Sequence, residues 1–408
     1  MRYYFTFPGK RLILFLCGMG MLVYSGAQTR DSVCNVVPGK DILDVLHHTL
    51  KNNRFASRDT VCQKTGRLHV SWVPAAAYTL VTRWAVVMAA NGAFYTDESK
   101  NANLSLVNTS LAYTQNKQII FPIHTTIWTK ENKFNILGDW RFYQYPQYTY
   151  GLGAFTHTSD ALLLNFSYIT IRETILKSIR PDFFAGLGYS LDYHWNISKL
   201  ATIGEGAPSY DSYGAASKTV SSGVTFNLLY DERRNPINPL AGYYGHIVYR
   251  PNFTFMGSDN NWQSLLIDLR KYFFLPGNSK NILAFWSYNW LTLSGKPPYV
   301  DLPSTAWDEY NNVGRGYIQS RFRGNNLLYL ESEYRFQLLK NGLLGGVVFV
   351  NAQSVSEWPS NKFDRILPGI GTGLRIKMNK HSNTNMCIDY GFGIEGSQGI
   401  FFGLGEMF

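Results

Sequence analysis

Along most of this chain, apolar and polar residues alternate one by one. From Leu327 to Gln337, Leu328, Leu330, Ser332, Tyr334 and Phe336 take one face, and Glu331, Glu333, Arg335 and Gln337 take the other. The same period of two sets Leu265, Ile267 and Leu269 against Ser264, Asp268 and Arg270. It sets Leu374, Ile376 and Met378 against Gly373, Arg375 and Lys377, and Met386, Ile388 and Tyr390 against Asn385, Cys387 and Asp389. A period of two is that of a β-strand with unlike faces. Strands that are greasy on one face and charged on the other suit a barrel in lipid with a polar interior.

Sixteen segments carry the pattern. The first eight are 68–76, 82–95, 102–115, 117–129, 132–142, 161–175, 182–194 and 219–231. The second eight are 242–255, 261–275, 281–294, 326–338, 344–352, 366–378, 383–394 and 399–408. Turns after even-numbered segments are mostly short, such as 177–181, 276–280, 340–342 and 379–383, whereas the long connections 143–160, 195–218 and 295–325 follow odd-numbered ones. That parity fits a transmembrane barrel with both ends of the chain in the periplasm, and not a β-sandwich. The expected fold is all-β: a 16-stranded antiparallel barrel over 67–408 behind a short N-terminal periplasmic segment, 28–66.

Composition agrees. Charged residues make up only 16% of the 408 residues and aromatics 15%, which suits a barrel with aromatic girdles better than a soluble enzyme. Residues 1–27 read as an export signal: basic Arg2, Lys10 and Arg11, an apolar Leu12 to Val23, and small residues Ser25-Gly-Ala27 for cleavage. Three of the charges behind the formal +10 lie in that signal, and the rest form no tract, so anionic lipid and lipopolysaccharide are the expected partners and nucleic acid is not. In 28–66, Ile42, Val45, Leu46 and Leu50 share one face of a short helix. Cys34 and Cys62 are a candidate disulfide in an oxidising compartment, and Cys387 has no evident partner. His47 and His48 point apart on that helix, so no metal and no cofactor is expected.

One loop departs from the bland composition of its kind. In 296–326, Gly314-Arg315-Gly316-Tyr317 is followed by Arg321 and Arg323, as in a loop that folds back on an acidic surface. Asp231-Glu-Arg233-Arg-Asn235 precedes Pro239 and Gly242, and the chain closes on Ile400, Phe402, Leu404 and Phe408 in alternation.

Together these resemble the BamA/TamA superfamily of outer-membrane barrels, the bacterial surface antigen family, and within it a short subgroup seen in Bacteroidetes-type bacteria. Gly314-Arg315-Gly316-Tyr317 is similar to that family's sixth-loop motif, with Gly in place of Val. Asp231, Arg233, Asn235, Pro239 and Gly242 are similar to its periplasmic turn motif, with Arg234 replacing an Asp. Phe402, Leu404 and Phe408 match its C-terminal assembly signal. The resemblance implies that Arg315 is buried in the lumen against Glu333, and that Asn351 stands where the family carries a second acid. Glu331 or Asp389 could then substitute, since both face inward by parity. The chain also departs from the family members that insert or translocate proteins, which carry periplasmic POTRA domains: 28–66 is too short for one, as expected of a short subgroup without them.

The function implied is assembly, insertion or translocation of outer-membrane components, with nascent outer-membrane proteins or periplasmic proteins as partners. Pro74 in the first strand is expected to weaken the closing seam. A passive pore or a structural barrel is the alternative; in a pore, Asp268, Arg270, Arg375, Lys377 and Asp389 would line the lumen, and in a structural barrel the buried Arg315 would only pin the loop. An enzyme is not expected: no Gly-x-Ser-x-Gly occurs, the 8 histidines are scattered, and His246 beside Arg250 suits a lumenal hydrogen bond.

Overall fold

The computed structural model describes residues 35–36, 39–42, 44–45, 60–61, 68–79, 81–97, 102–233, 235–275, 281–380 and 382–408. The export signal, Cys34, Cys62, His47, His48 and Leu50 lie outside them. Alternation becomes wall strands β1 (His69–Thr79), β2 (Arg83–Phe94), β3 (Ser105–Thr114), β4 (Ile119–Trp128) and β5 (Phe134–Gln144). There follow β6 (Leu162–Arg180), β7 (Phe183–Thr202), β8 (Thr219–Asp231), β9 (Gly242–Asn252), β10 (Trp262–Phe274) and β11 (Ile282–Gly295). The last are β12 (Asn326–Gln337), β13 (Leu344–Val355), β14 (Leu367–Asn379), β15 (Thr384–Gly393) and β16 (Gln398–Leu404). A three-residue piece, Gln147–Thr149, continues β5 along the edge of β6 after a break at Tyr145-Pro146.

Every neighbour in chain order pairs antiparallel, and the sheet closes with β16 beside β1. Closure leaves no free edge, which a sheet in hydrocarbon cannot tolerate. The closing strand is only seven residues long, so the seam has few rungs to share. The ladder between β1 and β2 runs unbroken through Pro74, which sits opposite Met88.

Alternation sorts the side chains. Leu330, Val350, Ile370, Leu374 and Phe402 stand outward and exposed, whereas Arg141, Asp192, Arg250, Asp268, Glu333, Arg375 and Asp389 are buried inside. An apolar belt around a charged interior is the surface of a transmembrane barrel. No described helix is long and apolar enough to cross a membrane.

Three boundaries differ from the sequence reading. The turn expected at 177–181 is strand as far as Arg180, and the chain reverses at Pro181-Asp182, where Asp182 has φ 61°. The loop expected from 195 begins after Thr202. With 19 and 20 residues, β6 and β7 are nearly twice the ~9–11 a membrane strand needs. Their ends project into water, where strand residues lose their apolar partners and read as turn. The third difference is at the chain's end. β16 stops at Leu404, Gly405 turns at φ 92°, and Met407 and Phe408 are buried in the lumen instead of continuing the alternation.

At the short-turn end, the N-terminal segment docks on the barrel. Lys40 N donates to Asn341 O at 2.9 Å, and the Lys380 ammonium sits 3.0 Å from Asp44. Ile42, Asp44 and Val45 are helical among the described residues. Asn35 and Val36 pair with Val61 and Thr60.

Candidate functional site

The connection between β11 and β12, residues 296–325, folds into the barrel instead of standing off it. Its two legs pair: Thr305 N donates to Phe322 O at 2.9 Å, and Ser320 N to Thr305 O at 2.9 Å. At its tip, Gly314 and Gly316 flank Arg315 with φ of 84° and 105°, a region that disfavours residues with a Cβ. The wall beneath the tip is also glycine. A Cβ on Gly391 would lie 2.8 Å from Gly316 N, and one on Gly369 would lie 2.8 Å from Arg315 O. The loop backbone therefore rests directly on the backbones of β14 and β15. Tyr317 donates its hydroxyl to Pro368 O at 2.5 Å and accepts from Ile394 N at 3.1 Å, while Ser397 Oγ donates to Gly316 O at 2.8 Å.

This seating aims Arg315 at three carboxylates. It donates to Glu331 and Glu333 of β12, and over 2.5 Å to Asp389 of β15. Its guanidinium lies 3.7 Å above the Phe349 ring. Burial alone would lower the Arg315 pKa, but Glu331, Glu333 and Asp389 outweigh it and raise it well above its ordinary value. The guanidinium is fully charged there. Asn351 takes another part: its Nδ2 donates to Arg315 O at 2.9 Å.

The cluster extends along the wall. Arg335 donates to Glu333 at 2.6 Å, and Arg375 pairs with Asp389. Glu406, on the tail behind β16, accepts from Arg375 at 2.7 Å. The tail goes further in: Phe408 O accepts from Arg335 at 3.1 Å, and Met407 O from Asn312 of the loop at 2.7 Å. The Phe408 ring stacks on Trp286 with centroids 5.1 Å apart.

Beyond the tip, the loop crosses the lumen. Arg141 of β5 donates to Glu309 O at 3.3 Å, and Tyr145 donates to Gln319 at 2.8 Å. At the loop's root, Asp301 accepts from Ser221 of β8 at 2.5 Å and lies 3.5 Å from His194 Nδ1 of β7. Arg323 is buried with no carboxylate partner among the described residues, and donates to the carbonyls of Tyr299, Val300 and Leu302 at 2.9–3.3 Å. Burial pushes its pKa down, offset in part by Tyr299 and Asp301. Neighbouring long loops close over this root. Gly153 N donates to Arg323 O at 2.7 Å, Arg321 pairs with Glu395 at 3.1 Å, and Tyr213 packs edge-on to Trp358 at 4.9 Å.

The other expected sites fall as follows. Asp231 accepts both arms of Arg233 at 2.8 and 2.9 Å, and Arg233 stacks on Tyr244 at 4.1 Å. Asn235 donates to Ser382 O at 3.0 Å, tying the turn after β8 to the turn after β14. Glu406 N donates to Ile237 O at 2.8 Å, so the same turn holds the tail. Pro239 and Gly242 lie in and just beyond that turn, with Gly242 at φ 110°. Phe402 and Leu404 face outward, and Phe408, expected with them, faces inward. Cys387 is buried, and its thiol donates to Gly405 O. The lumenal charges expected to line a pore are engaged: Arg270 with Asp268 at 2.6 Å, Arg375 with Asp389, and Lys377 with Asn383. His246 shares a hydrogen bond with Asn227 at 3.2 Å. Sequence reasoning missed Gly369, Gly391, Gly393 and Glu406. The glycines' only signal is their place on inward positions of the strands after the loop.

This arrangement is that of a sixteen-stranded transmembrane barrel whose sixth long-end loop is pinned inside it. No family model and no curated protein matches the sequence. Solved structures do match. BamA from Haemophilus ducreyi lacking POTRA domains 1–3 aligns with TM-score 0.53 at 13% identity, over 85% of this chain and 71% of that one. CdiB from Escherichia coli aligns with TM-score 0.54 at 10% identity, over 92% and 67%. CdiB from Acinetobacter baumannii aligns with TM-score 0.51 at 12% identity, over 92% and 65%, so the chain spans about two thirds of the CdiB length. At these identities the likeness is one of fold.

Proposed function

We propose that this chain is an outer-membrane barrel of the BamA/CdiB kind that assembles, inserts or translocates outer-membrane components. Its clients would be nascent outer-membrane proteins, and its surroundings phospholipid and lipopolysaccharide. The observation that carries the reading is the docking of Arg315 on Glu331, Glu333 and Asp389, deep inside the wall. A buried ion cluster of this size is costly to build, and a channel needs none. The loop also crosses the lumen that a passive pore would keep open. The reading includes no catalytic group and no cofactor.

The test is client folding. A urea-denatured small outer-membrane barrel is mixed with liposomes that hold the purified protein, and its folded form is followed by heat-modifiable gel mobility. Faster folding than in protein-free liposomes is expected, and equal rates would overturn the reading. Sustained open conductance of the unmodified protein in planar bilayers would favour the passive pore instead.

A further inference from the structure

The outer wall carries a groove that has no part in the lumenal site. On the outward face of β9 to β13, Gly245, Ser287, Ser332 and Ala352 are small and lie on two adjoining rungs of the ladder. Longer side chains rise around them, with Tyr243 and Phe285 at the short-turn end, and leave a groove of about 820 Å³. That volume is within the ~300–1,000 Å³ of small-molecule sites, but this groove opens sideways, toward lipid.

One charge stands at its mouth. Among the described outward residues of β8 to β13, Lys271 alone is charged. It lies three residues before Phe274, where β10 ends at the short-turn side. Its ammonium sits 3.0 Å from the centre of the Tyr243 ring and 5.0 Å from that of Phe273. The rings hold the cation in place but accept no strong hydrogen bond, so its N–H donors remain for an anion. No carboxylate pairs with it among the described residues.

A cation at one end of an apolar groove matches a phosphate with an acyl chain behind it. An extended peptide fits less well. The strands beneath are paired on both sides, so they offer it no backbone partners, and unpaired peptide groups are costly in hydrocarbon. An acyl chain needs none. With the short-turn end toward the periplasm, the adjoining leaflet is phospholipid, and lipopolysaccharide belongs to the other. We propose that this groove is a binding site for one anionic phospholipid, with its phosphate on Lys271 and an acyl chain lying over Gly245 and Ser287. The site rests on the chain spanning an outer membrane, and not on what it assembles there.

Native mass spectrometry of the purified full chain, released from detergent micelles loaded with lipid, reads the site. One phosphatidylglycerol per barrel should be retained under conditions that strip phosphatidylcholine with the same chains. Lys271→Gln should weaken that retention about fivefold, the worth of one lysine at an anionic surface. Ser287→Phe, which fills the groove, should abolish it. Lys177→Gln, at an exposed position on β6 outside the groove, should leave it unchanged. Equal retention of the two lipids would overturn the inference, and so would equal losses in the Lys177 and Lys271 variants or a lipid that survives Ser287→Phe. Heat-modifiable mobility reports that each variant is folded, and Lys271→Gln decides alone if Ser287→Phe misfolds. No client protein enters this test, so its failure is distinct from failure of the assembly reading.

Discussion

Asn351 donates its side-chain amide to the backbone carbonyl of Arg315, over 2.9 Å. It holds the path of the loop and leaves the loop's charge to other residues. A carboxylate on β15, Asp389, faces the guanidinium instead at 2.5 Å. The acid that the resemblance places on β13 is thus found two strands away, and the amide serves the main chain. Asn351→Ala should leave that buried carbonyl unpaired at a cost of about 1–3 kcal/mol. The expected outcome is about tenfold faster protease cleavage within 296–325, with the wall intact by heat-modifiable mobility. Cleavage at the unmodified rate would show that the bond does not restrain the loop.

The carboxyls around Arg315 have unequal numbers of partners, which makes the ion cluster asymmetric to mutation. Removing Arg315 leaves Glu331 without a guanidinium partner among the described residues and strands buried charge, about 3–5 kcal/mol locally. Arg315→Ala should expose the loop to protease while the hydrogen-bonded wall still forms. Glu331→Gln removes the carboxyl with the fewest partners and should change cleavage far less. Glu333→Gln should fall between them, since Glu333 serves Arg315, Arg335 and Arg375. Equal cleavage of the Glu331 and Arg315 variants would refute this ranking.

The wall was legible because its signal is local. Inward Glu331 and Glu333 and outward Leu328 and Leu330 follow from a period of two, and the burial of the strands repeats it. The loop's docking was legible only through the Gly-Arg-Gly-Tyr motif, and its partners through the resemblance for Glu333 and facing parity for Glu331 and Asp389. Parity admitted Glu331, Glu333 and Asp389 but could not say that one guanidinium meets all three. The tail was misread for a physical reason. Its apolar residues continue the alternation in sequence, yet the left-handed Gly405 rotates the chain off the sheet and sends Phe408 inside. No pattern in the sequence distinguishes a strand's last residues from a hook that follows it.

The hook has its own test. Phe408 packs on Trp286 and, at 6.2 Å, on Tyr272, and the adjacent Met407 carbonyl holds Asn312 of the loop. Phe408→Ala should cost about 3–5 kcal/mol at that site, lower the melting temperature and speed cleavage of the loop. Leu404→Ala, on the exposed outward face, should leave loop cleavage unchanged. If both variants behave alike, the tail does not brace the loop.

The loop's root should respond to pH through Asp301. Burial, and then the charge of Asp192, raise the Asp301 pKa from 3.8 to about 7, against the pull of the Ser221 hydrogen bond and of Arg250 and Arg172. Because the docked value is the higher one, the carboxyl's contribution to docking is complete below its ordinary 3.8. It is lost as pH rises through about 7. Hydrogen exchange in peptides covering 297–306 should therefore be slower at pH 5 than at pH 8, after correction for the intrinsic pH dependence of exchange. Asp301→Asn keeps an acceptor for Ser221 and cannot ionise, so its corrected exchange should be as slow at pH 8 as at pH 5. A root that exchanges equally at both pH values in the unmodified protein would show that Asp301 is already ionised in its docked place.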